Sequence, residues 1–352
     1  MIKLKQRGDW LNNAGILGLL RVIGIRTEAD LEKCPYWDGE NLYVTKQMLS
    51  YVKDNYFEYV AAKEYRISYL AKIIKLTELA NSSDDPSPIL LDSKGKKGLA
   101  KTSKDFFSRR GVQSALARMD EEYGYNLLGQ VESLKKVQYK KEPEAFLSSL
   151  SQLLEKVQND PNQYISKIDA INSYLAKFLG SRFTFVKGTV YTKYFEEEFD
   201  KLLTPIYEYL DDDSTGKYKE YKYTCAFCGS PMKYYGDPSG KTHGIVSRGS
   251  SVFEGLYFKN KASVGYKLKP DEVGCPICTL LLALAPLGLV HVGKDALFVN
   301  NSHDGIRSYL GINYSLEYEV QHTDKATYGD SIRKLVELKD THSGKGDNVI
   351  HI

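Results

Sequence analysis

Four of the five cysteines in the chain stand in two C-x-x-C pairs, a spacing that suits metal chemistry. Cys225 and Cys228 form the first pair, in CAFCG, and Cys275 and Cys278 form the second, in CPIC. A C-x-x-C turn brings two thiolates to one tetrahedral zinc ion, and a second pair completes the coordination shell. Four thiolate ligands leave no coordination position for a water molecule. The pattern therefore predicts a closed, structural Zn²⁺ site without catalytic chemistry.

The distance between the two pairs is unusual for a zinc ribbon. Residues 229–274 lie between them, whereas common ribbons separate their pairs by about 15–20 residues. Because that stretch contains β-like runs of its own, we predict a small insertion within a zinc module over about residues 220–290. Two unrelated pairs or a redox pair are the alternatives. A thioredoxin-like pair would follow a strand in a βαβ unit, and neither pair has that context.

Residues arranged for catalysis are sparse elsewhere in the sequence. The acidic runs at 120–122, 196–200 and 211–213 are contiguous, whereas a two-metal nuclease needs carboxylates that converge from several strands. The chain has no H-E-x-x-H, no P-loop and no G-x-S-x-G motif. We therefore predict that the protein is not an enzyme. The alternative is a zinc-stabilised nuclease of a defence system that uses His303 and Asp304 with a second metal.

Two stretches rich in lysine and arginine could bind nucleic acid, although the net charge is only +3. We interpret residues 92–111 as a basic loop loosened by glycines, and residues 243–269 as a second such loop between the cysteine pairs. Cations in such loops follow phosphates, whereas Arg, Asn and Ser side chains reach base edges. A merely solvated surface is the alternative for either loop. The predicted nucleic-acid-binding residues are Lys94, Lys96, Lys97, Lys101, Lys104, Arg109, Arg110, Arg248, Ser250, Lys259, Lys261, Asn300 and Asn301.

The elements that must position these residues are helical in the first half of the chain and mixed in the second. Periodicity predicts helices over 9–24, 42–80, 112–136, 142–158, 161–179 and 196–213. Alternation predicts a hairpin over 183–195 and strands at 218–224, 252–258, 264–268, 296–300 and 314–320. We therefore predict an α+β fold. Residues 1–180 would form a mainly helical domain with the basic loop, and residues 181–352 a β-rich region that contains the zinc ribbon.

The first helix differs from the others in its composition. Residues 9–24, DWLNNAGILGLLRVIG, are apolar around most of the helical circumference, which predicts burial on all sides. Asn12 and Asn13 would then be polar groups near the core that need partners. We predict that both are structural residues.

Nothing in the sequence indicates secretion or a membrane span. MIKLKQRGDW lacks a following apolar region with a cleavage site, and the apolar run over 276–292 is short and contains Pro286 and His291. These features predict a cytoplasmic protein that does not bind membranes. Thiols stay reduced in that compartment, so paired cysteines favour metal binding over disulfides.

Two motifs, in their order and distance, resemble one protein family. GDWLNNAGILGLLRVIG, residues 8–24, resembles the opening of the large subunit of type I-B CRISPR Cascade complexes. CAFCG and CPIC, the latter followed by an apolar run, resemble the zinc module of the same family. The resemblance covers residues 8–24 and roughly 220–290. The middle of the chain is similar only in its general helical pattern.

The resemblance implies a non-catalytic subunit of a guide-RNA surveillance complex in antiviral defence. Such a subunit recognises the short motif that flanks a double-stranded DNA target, promotes opening of the duplex, and helps to recruit the effector nuclease or transposition machinery. The implied partners are the 5′ handle of the guide RNA, target DNA, the handle-binding, backbone and small subunits, and helicase-nuclease or transposition proteins. The helical bundle that usually ends the family is expected to be absent. A zinc-ribbon DNA-binding regulator that needs no guide complex is a further alternative.

Overall fold

The computed structural model divides the chain into two compact units. It describes residues 1–4, 10–63, 68–91, 97–171, 195–214, 223–225, 228–232, 275–292, 295–300, 305–322 and 349–351. One unit, called here the cysteine unit, holds the described residues of Met1–Tyr56 and Phe199–Ile352. The other, called here the helical unit, holds those of Phe57–Lys177 and Val186–Glu198. The division therefore differs from the predicted boundary at residue 180, because the first 56 residues pack with the C-terminal part of the chain.

The described residues are mostly helical, with a few short strands. The helices are α1 (Trp10–Val22), α2 (Glu28–Glu32), α3 (Lys46–Lys63), α4 (Tyr69–Asn81), α5 (Ser87–Leu90), α6 (Leu99–Phe107), α7 (Arg110–Tyr123), α8 (Leu127–Lys136), α9 (Pro143–Gln158), α10 (Tyr164–Ala170), α11 (Phe195–Ser214), α12 (Pro276–Gly288) and α13 (Gly305–His322). The strands are β1 (Ile2–Leu4), β2 (Leu42–Val44), β3 (Tyr223–Thr224), β4 (Pro231–Met232), β5 (Val290–Val292), β6 (Asp295–Asn300) and β7 (Val349–His351). They pair antiparallel in the sheets β1-β2, β3-β4 and β5-β6-β7.

Helix α1 packs against α12 along its length in the cysteine unit, and the two backbones nearly touch. All residues from Leu11 to Val22 are buried, which confirms the predicted burial of this helix on all sides. Gly15, Gly18 and Gly288 lie at the contact, where each faces a backbone carbonyl of the other helix. Because these residues have no Cβ, the helices approach more closely than larger side chains would permit. Small residues thus determine the distance between α1 and α12.

Arg21 connects α1 to two other elements of the cysteine unit through a buried guanidinium group. Its Nη1 atom donates to the carbonyl oxygens of Leu287 and Leu289, at 2.9 and 3.0 Å, where α12 ends. Its Nη2 atom lies 2.7 Å from Oε2 of Glu317 on α13. The last carbonyls of a helix have no partner within the helix, so Arg21 caps α12 and places a positive charge at the negative end of its dipole.

We predict that Arg21→Met lowers the free energy of unfolding by about 3 kcal/mol, because breaking a buried ion pair leaves the remaining charge without its cation. Two helix-end carbonyls lose their donor in the same step. Arg307→Met is the matched control, since Arg307 pairs with Glu32 where both side chains are about half exposed, and such pairs contribute about 0–1 kcal/mol. Urea unfolding curves of the two variants should differ clearly. Equal midpoints would contradict the assignment of Arg21 as a buried link.

Helix α13 lies on the β5-β6 sheet and forms a small core with it. Val290, Leu297 and Val299 of the strands pack against Ile312 and Leu316. The sequence of this segment predicts a strand over 314–320, and that prediction is wrong: the segment lies within α13. The alternation of Tyr314, Leu316 and Tyr318 imitates a strand, yet the two tyrosines are exposed and the burial follows helical spacing. The predicted strand at 296–300 is confirmed by β6.

The helical unit corrects two other expectations. Residues 112–136 form two helices and not one. Gly124 ends α7 in the left-handed conformation, at φ 70°. The carboxylate of Asp120 then accepts hydrogen bonds from the first backbone N–H groups of α8, those of Leu127 and Leu128. The predicted basic loop over 92–111 contains α6 and the start of α7, so its described part is mainly helical.

The remaining element predictions vary in outcome. The helix predicted over 42–80 is not continuous: the segment begins with β2 and continues as α3 and α4. The helices predicted over 142–158 and 196–213 are confirmed by α9 and α11. The helix predicted over 161–179 is described only as α10, and the strand at 218–224 only as β3. The predicted strands at 252–258 and 264–268, and residues 183–194 of the predicted hairpin, lie outside the described residues.

Candidate metal centre

The four paired cysteines converge on one point of the cysteine unit. Their Sγ atoms all lie within 4.8 Å of one another, and the cluster is largely buried. Cys228 Sγ and Cys275 Sγ are 3.6 Å apart, and none of the cysteines forms a disulfide. Four sulfurs around a tetrahedral zinc ion at about 2.3 Å would lie roughly 3.8 Å from one another. The described geometry is therefore compatible with a metal ion bound by all four thiolates.

The first pair is positioned by the turn between β3 and β4. The N–H of Cys225 donates to the carbonyl oxygen of Ser230, and the N–H of Gly229 donates back to that of Cys225, both at 2.9 Å. Gly229 has a φ of 67°, in the left-handed region that glycine adopts without a steric penalty. A glycine directly after the second cysteine therefore lets the chain turn back around the cluster.

The second pair is positioned by the start of α12. Cys275 is the N-cap residue of the helix, Pro276 occupies its first turn, and Cys278 follows one turn later. Pro at the first helical position is favourable because the N–H that it lacks has no partner within the helix. The positive end of the helix dipole is therefore directed toward the sulfurs, which favours thiolates over thiols.

Backbone N–H groups point at the sulfur atoms from both sides of the cluster. The N–H of Cys275 lies 3.1 Å from Cys225 Sγ, and that of Cys228 lies 3.4 Å from the same sulfur. Ser230 donates to Cys228 Sγ at 3.4 Å, and Cys278 donates to Cys275 Sγ at 3.5 Å. Such donors stabilise negative charge on sulfur. The site is thus arranged to hold its sulfur atoms in the anionic form.

The cysteines also shift the pKa values of one another in opposite directions. Hydrogen bonds, the strongest from Cys225, hold the pKa of Cys228 far below its ordinary value. Hydrogen bonds with Cys225 and Cys228 raise the pKa values of Cys275 and Cys278. Four adjacent sulfurs can therefore all become thiolates only when a cation lies among them. This donor set fits a thiophilic divalent metal ion.

Several residues predicted to bind nucleic acid, together with the pair suggested for a nuclease, lie outside the described residues. The predicted binding residues concerned are Lys94, Lys96, Arg248, Ser250, Lys259, Lys261 and Asn301. The nuclease pair is His303 and Asp304. Their assignments stay predictions.

Lys104, which the sequence predicts to bind phosphate, makes its described contacts within the helical unit. Its Nζ atom donates to the carbonyl oxygens of Lys135 and Val137, at 2.9 and 3.0 Å, where α8 ends. The ammonium group also lies 5.2 Å from the ring centre of Tyr139 and 5.7 Å from that of Phe146. Burial lowers the pKa of Lys104. The charge is thus directed into the helical unit, where it caps α8.

We predict that Lys104→Met lowers stability by about 1–2 kcal/mol, because two carbonyls at the end of α8 lose a charged donor. The same change should leave the salt dependence of nucleic-acid binding unaltered, since a lysine that touches no phosphate releases no counterion. Thermal unfolding and binding titrations at several salt concentrations measure the two effects. A reduced salt slope with unchanged stability would instead support the original assignment to phosphate.

Asn300 also differs from its predicted role as a base reader. It lies at the end of β6, is 5% exposed, and accepts a hydrogen bond from Asn13 Nδ2 at 2.8 Å. Asn13 is fully buried, and Asn12 donates to it at 3.5 Å. The structural role predicted for the two N-terminal asparagines is therefore supported. Because the Asn300 side chain lies in the core of the cysteine unit, it cannot reach a base edge without disrupting that contact.

The remaining described cations of the 97–110 segment differ from one another in their surroundings. Lys97 pairs with Asp105 at 2.7 Å, and both side chains are about half exposed. Arg109 lies over the ring of Tyr69, 4.0 Å from its centre. Lys101 and Arg110 are exposed. Surface charges remain here, but on a helix and its flanks instead of a loop.

Comparison of the chain with protein-family models, with curated proteins and with solved structures finds no match. Within the residues that the structure describes, no helix has the length and apolar character needed to cross a bilayer.

Proposed function

We propose that the chain is the non-catalytic large subunit of a guide-RNA surveillance complex of the type I-B Cascade kind. In this role it binds Zn²⁺ structurally through a zinc ribbon and recognises the DNA that flanks the target. The observation that carries the proposal is the convergence of the two segments that resemble this family. Helix α1, which contains the N-terminal motif, packs along α12, and the first turn of α12 contributes Cys275 and Cys278 to the cluster.

A metal ion in the cluster would also fix both ends of the long insertion between the cysteine pairs. The chain leaves the cluster after Cys228 and re-enters it at Cys275, so a bound metal ion fixes both ends of the intervening segment. Closing a loop in this way removes conformational freedom from the unfolded chain. The segment contains Arg248, Lys259 and Lys261, residue types that contact phosphates and base edges. We therefore assign DNA recognition to this insertion and a stabilising role to the metal.

A structural role for the metal follows from the ligand set. Four thiolates fill a tetrahedral shell, so neither water nor substrate has a free position. Tetrahedral sulfur sites hold zinc or iron, and elemental analysis of the purified chain distinguishes them. We expect about one zinc ion per chain and a colourless protein.

The function is tested by binding of a guide-loaded assembly to target duplexes that differ only in the bases next to the target. We expect discrimination between flanking sequences when this chain is present and its loss when the chain is omitted. Arg248→Ala should weaken that discrimination, whereas Lys140→Ala, an exposed change in the helical unit, should not. Flank preference that persists without the chain would contradict the proposal. Metal-dependent cleavage by the chain alone, abolished by His303→Ala, would indicate the nuclease instead.

A further inference from the structure

A groove on the helical unit has features that neither the metal centre nor the insertion explains. It has a volume of about 570 Å³ and lies between α4, α5 and α6. Leu76, Ile89 and Leu91 contribute apolar surface to it. Its size falls within the range of pockets that hold small ligands or single units of a polymer. The groove is therefore large enough for one nucleotide of a longer strand.

The charges that line the groove are mainly positive. Lys72, Lys97 and Arg109 lie along it, and Asp105 is the carboxylate among the described lining residues. Asp105 pairs with Lys97 at 2.7 Å. Lys72 is exposed on α4 and forms no ion pair with any described acidic residue. The groove therefore carries an excess of positive charge, which favours an anionic ligand.

A flat cationic platform lies on one wall of the groove. The guanidinium carbon of Arg109 is 4.0 Å from the ring centre of Tyr69, and the tyrosine nevertheless remains 43% exposed. Stacked arginine and tyrosine side chains present planar surfaces on which nucleic-acid bases stack. Both side chains are also lining residues of the groove.

A buried carboxylate, that of Asp169, fixes the positions of both residues of this platform. Asp169 is 1% exposed and lies 3.9 Å from Nη1 of Arg109. The same carboxylate accepts hydrogen bonds from Ser68 Oγ at 2.6 Å and from the N–H of Leu70 at 2.8 Å, which fixes the start of α4 where Tyr69 lies. One buried group thus positions both members of the stack, so the surface is preorganised.

We propose that this groove binds a segment of single-stranded nucleic acid. The cations would contact phosphates, a base would stack on Tyr69 or Arg109, and the apolar residues would contact the remainder of the base and sugar. The combination of positive charge with an exposed aromatic ring is typical of proteins that bind single strands without sequence preference. The inference rests on the proposed function, because a subunit that opens a duplex must accommodate a released strand.

The test uses the full-length, metal-loaded chain with a fluorescent oligothymidylate of about ten nucleotides, a length within the usual site sizes. Lys72→Gln should weaken binding several-fold and reduce the slope of log K against log salt by about 0.7, the value expected for one phosphate contact on a single strand. Lys140→Gln, the same change on an exposed residue outside the groove, should leave both quantities unchanged. Equal effects of the two changes would overturn the proposal.

Stacking is tested separately with Tyr69→Leu and with an abasic oligonucleotide of equal length. Each change alone should weaken binding about tenfold, and the two together should weaken it no further, because they remove the same contact. Additive losses would contradict the assignment of Tyr69 as the stacking residue. Complete displacement of the oligonucleotide by micromolar mononucleotide would overturn the choice of a strand as the ligand.

Location is tested by photo-cross-linking with an oligonucleotide that contains 5-iodouracil. A cross-linked peptide that includes Tyr69 supports the groove, and cross-links found elsewhere only would overturn it. Failure of this inference differs measurably from failure of the proposed function. In the first case flank discrimination by the assembled complex persists while the cross-link is missing, and in the second the cross-link forms while flank discrimination is lost.

Discussion

Chelation of the metal, or Cys228→Ser, is expected to lower the free energy of unfolding of the cysteine unit by at least about 3 kcal/mol. Metal binding contributes directly to folding when the apo ligands are not otherwise held together, and the thiols of this cluster lie on two segments that are far apart in the sequence. Without a cation, buried neighbouring sulfurs repel one another when ionised. Thermal unfolding of the chain before and after treatment with a strong chelator measures the effect.

The matched control for this prediction is Cys34→Ala. Cys34 is buried, and it does not belong to the four-cysteine cluster. Its replacement should leave the metal content unchanged and affect stability only through the loss of a small buried group, about 1 kcal/mol. Retention of a full equivalent of metal by the Cys228→Ser variant, with an unchanged unfolding midpoint, would refute a four-thiolate site.

Acid should act on the cluster in the same direction as chelation. A thiolate must lose its proton to bind a metal ion, so protons compete with the metal. Stability is therefore expected to fall as the pH is lowered, over the range in which the metal is released. A coloured chelator that records metal release, together with the unfolding midpoint at each pH, tests whether the two changes coincide. The metal-free chain should lack this dependence.

The sequence predicts local features of the cysteine unit well because their causes are local. A C-x-x-C-G run specifies its own turn, and an apolar segment such as residues 9–24 must be buried wherever the chain places it. The sequence does not reveal the element that covers that segment. Helix α12 begins at Pro276, more than two hundred residues after α1 ends, and periodicity contains no information about such a contact. The division into two units differs from the one predicted at residue 180 for the same reason.

The roles of charged and polar residues are harder to predict from the sequence, because they depend on tertiary partners. The sequence alone does not distinguish a lysine that faces solvent from one that, like Lys104, caps a neighbouring helix. Asn300 begins a polar stretch of the sequence with Asn301, which suggests exposure to solvent. Its side chain nevertheless bonds to that of Asn13, near the other end of the chain. The sequence does not predict the Tyr69–Arg109 stack either. Arg109 is one of the predicted cations, but its aromatic partner lies 40 positions earlier in the chain.

The contact between α1 and α12 leads to the second large prediction, for Gly18→Ala and Gly288→Ala. A Cβ atom on Gly18 would lie 2.0 Å from the carbonyl oxygen of Leu284, and one on Gly288 would lie 1.9 Å from that of Ala14. These neighbours are backbone atoms of helices, so neither can move without separating the two helices. We expect each change to lower the free energy of unfolding by about 3 kcal/mol, at the upper end of the effect of overpacking.

The appropriate control is a glycine in a helix of the same unit that faces a flexible neighbour. The nearest neighbour of an added Cβ on Gly311 of α13 is the end of the Glu28 side chain, whose Oε1 atom would lie 2.5 Å away. That side chain can rotate away, and alanine is favoured over glycine within helices by roughly 0.5–1 kcal/mol. Gly311→Ala should therefore be neutral or stabilising in the same urea titration. A Gly18→Ala variant as stable as the original chain would show that the two helices do not pack this closely.

The same substitutions also test whether the helix pair supports the metal centre. Cys275 and Cys278 lie in the first turn of α12, whereas Gly288 ends that helix. If α1 holds α12 in position for the cluster, Gly18→Ala should weaken metal binding, although residue 18 provides no ligand. Competition with a chelator of known affinity measures that loss, and Gly311→Ala should show none. Destabilisation without a change in metal affinity would instead mean that the β3-β4 turn and the first turn of α12 assemble the site independently of α1.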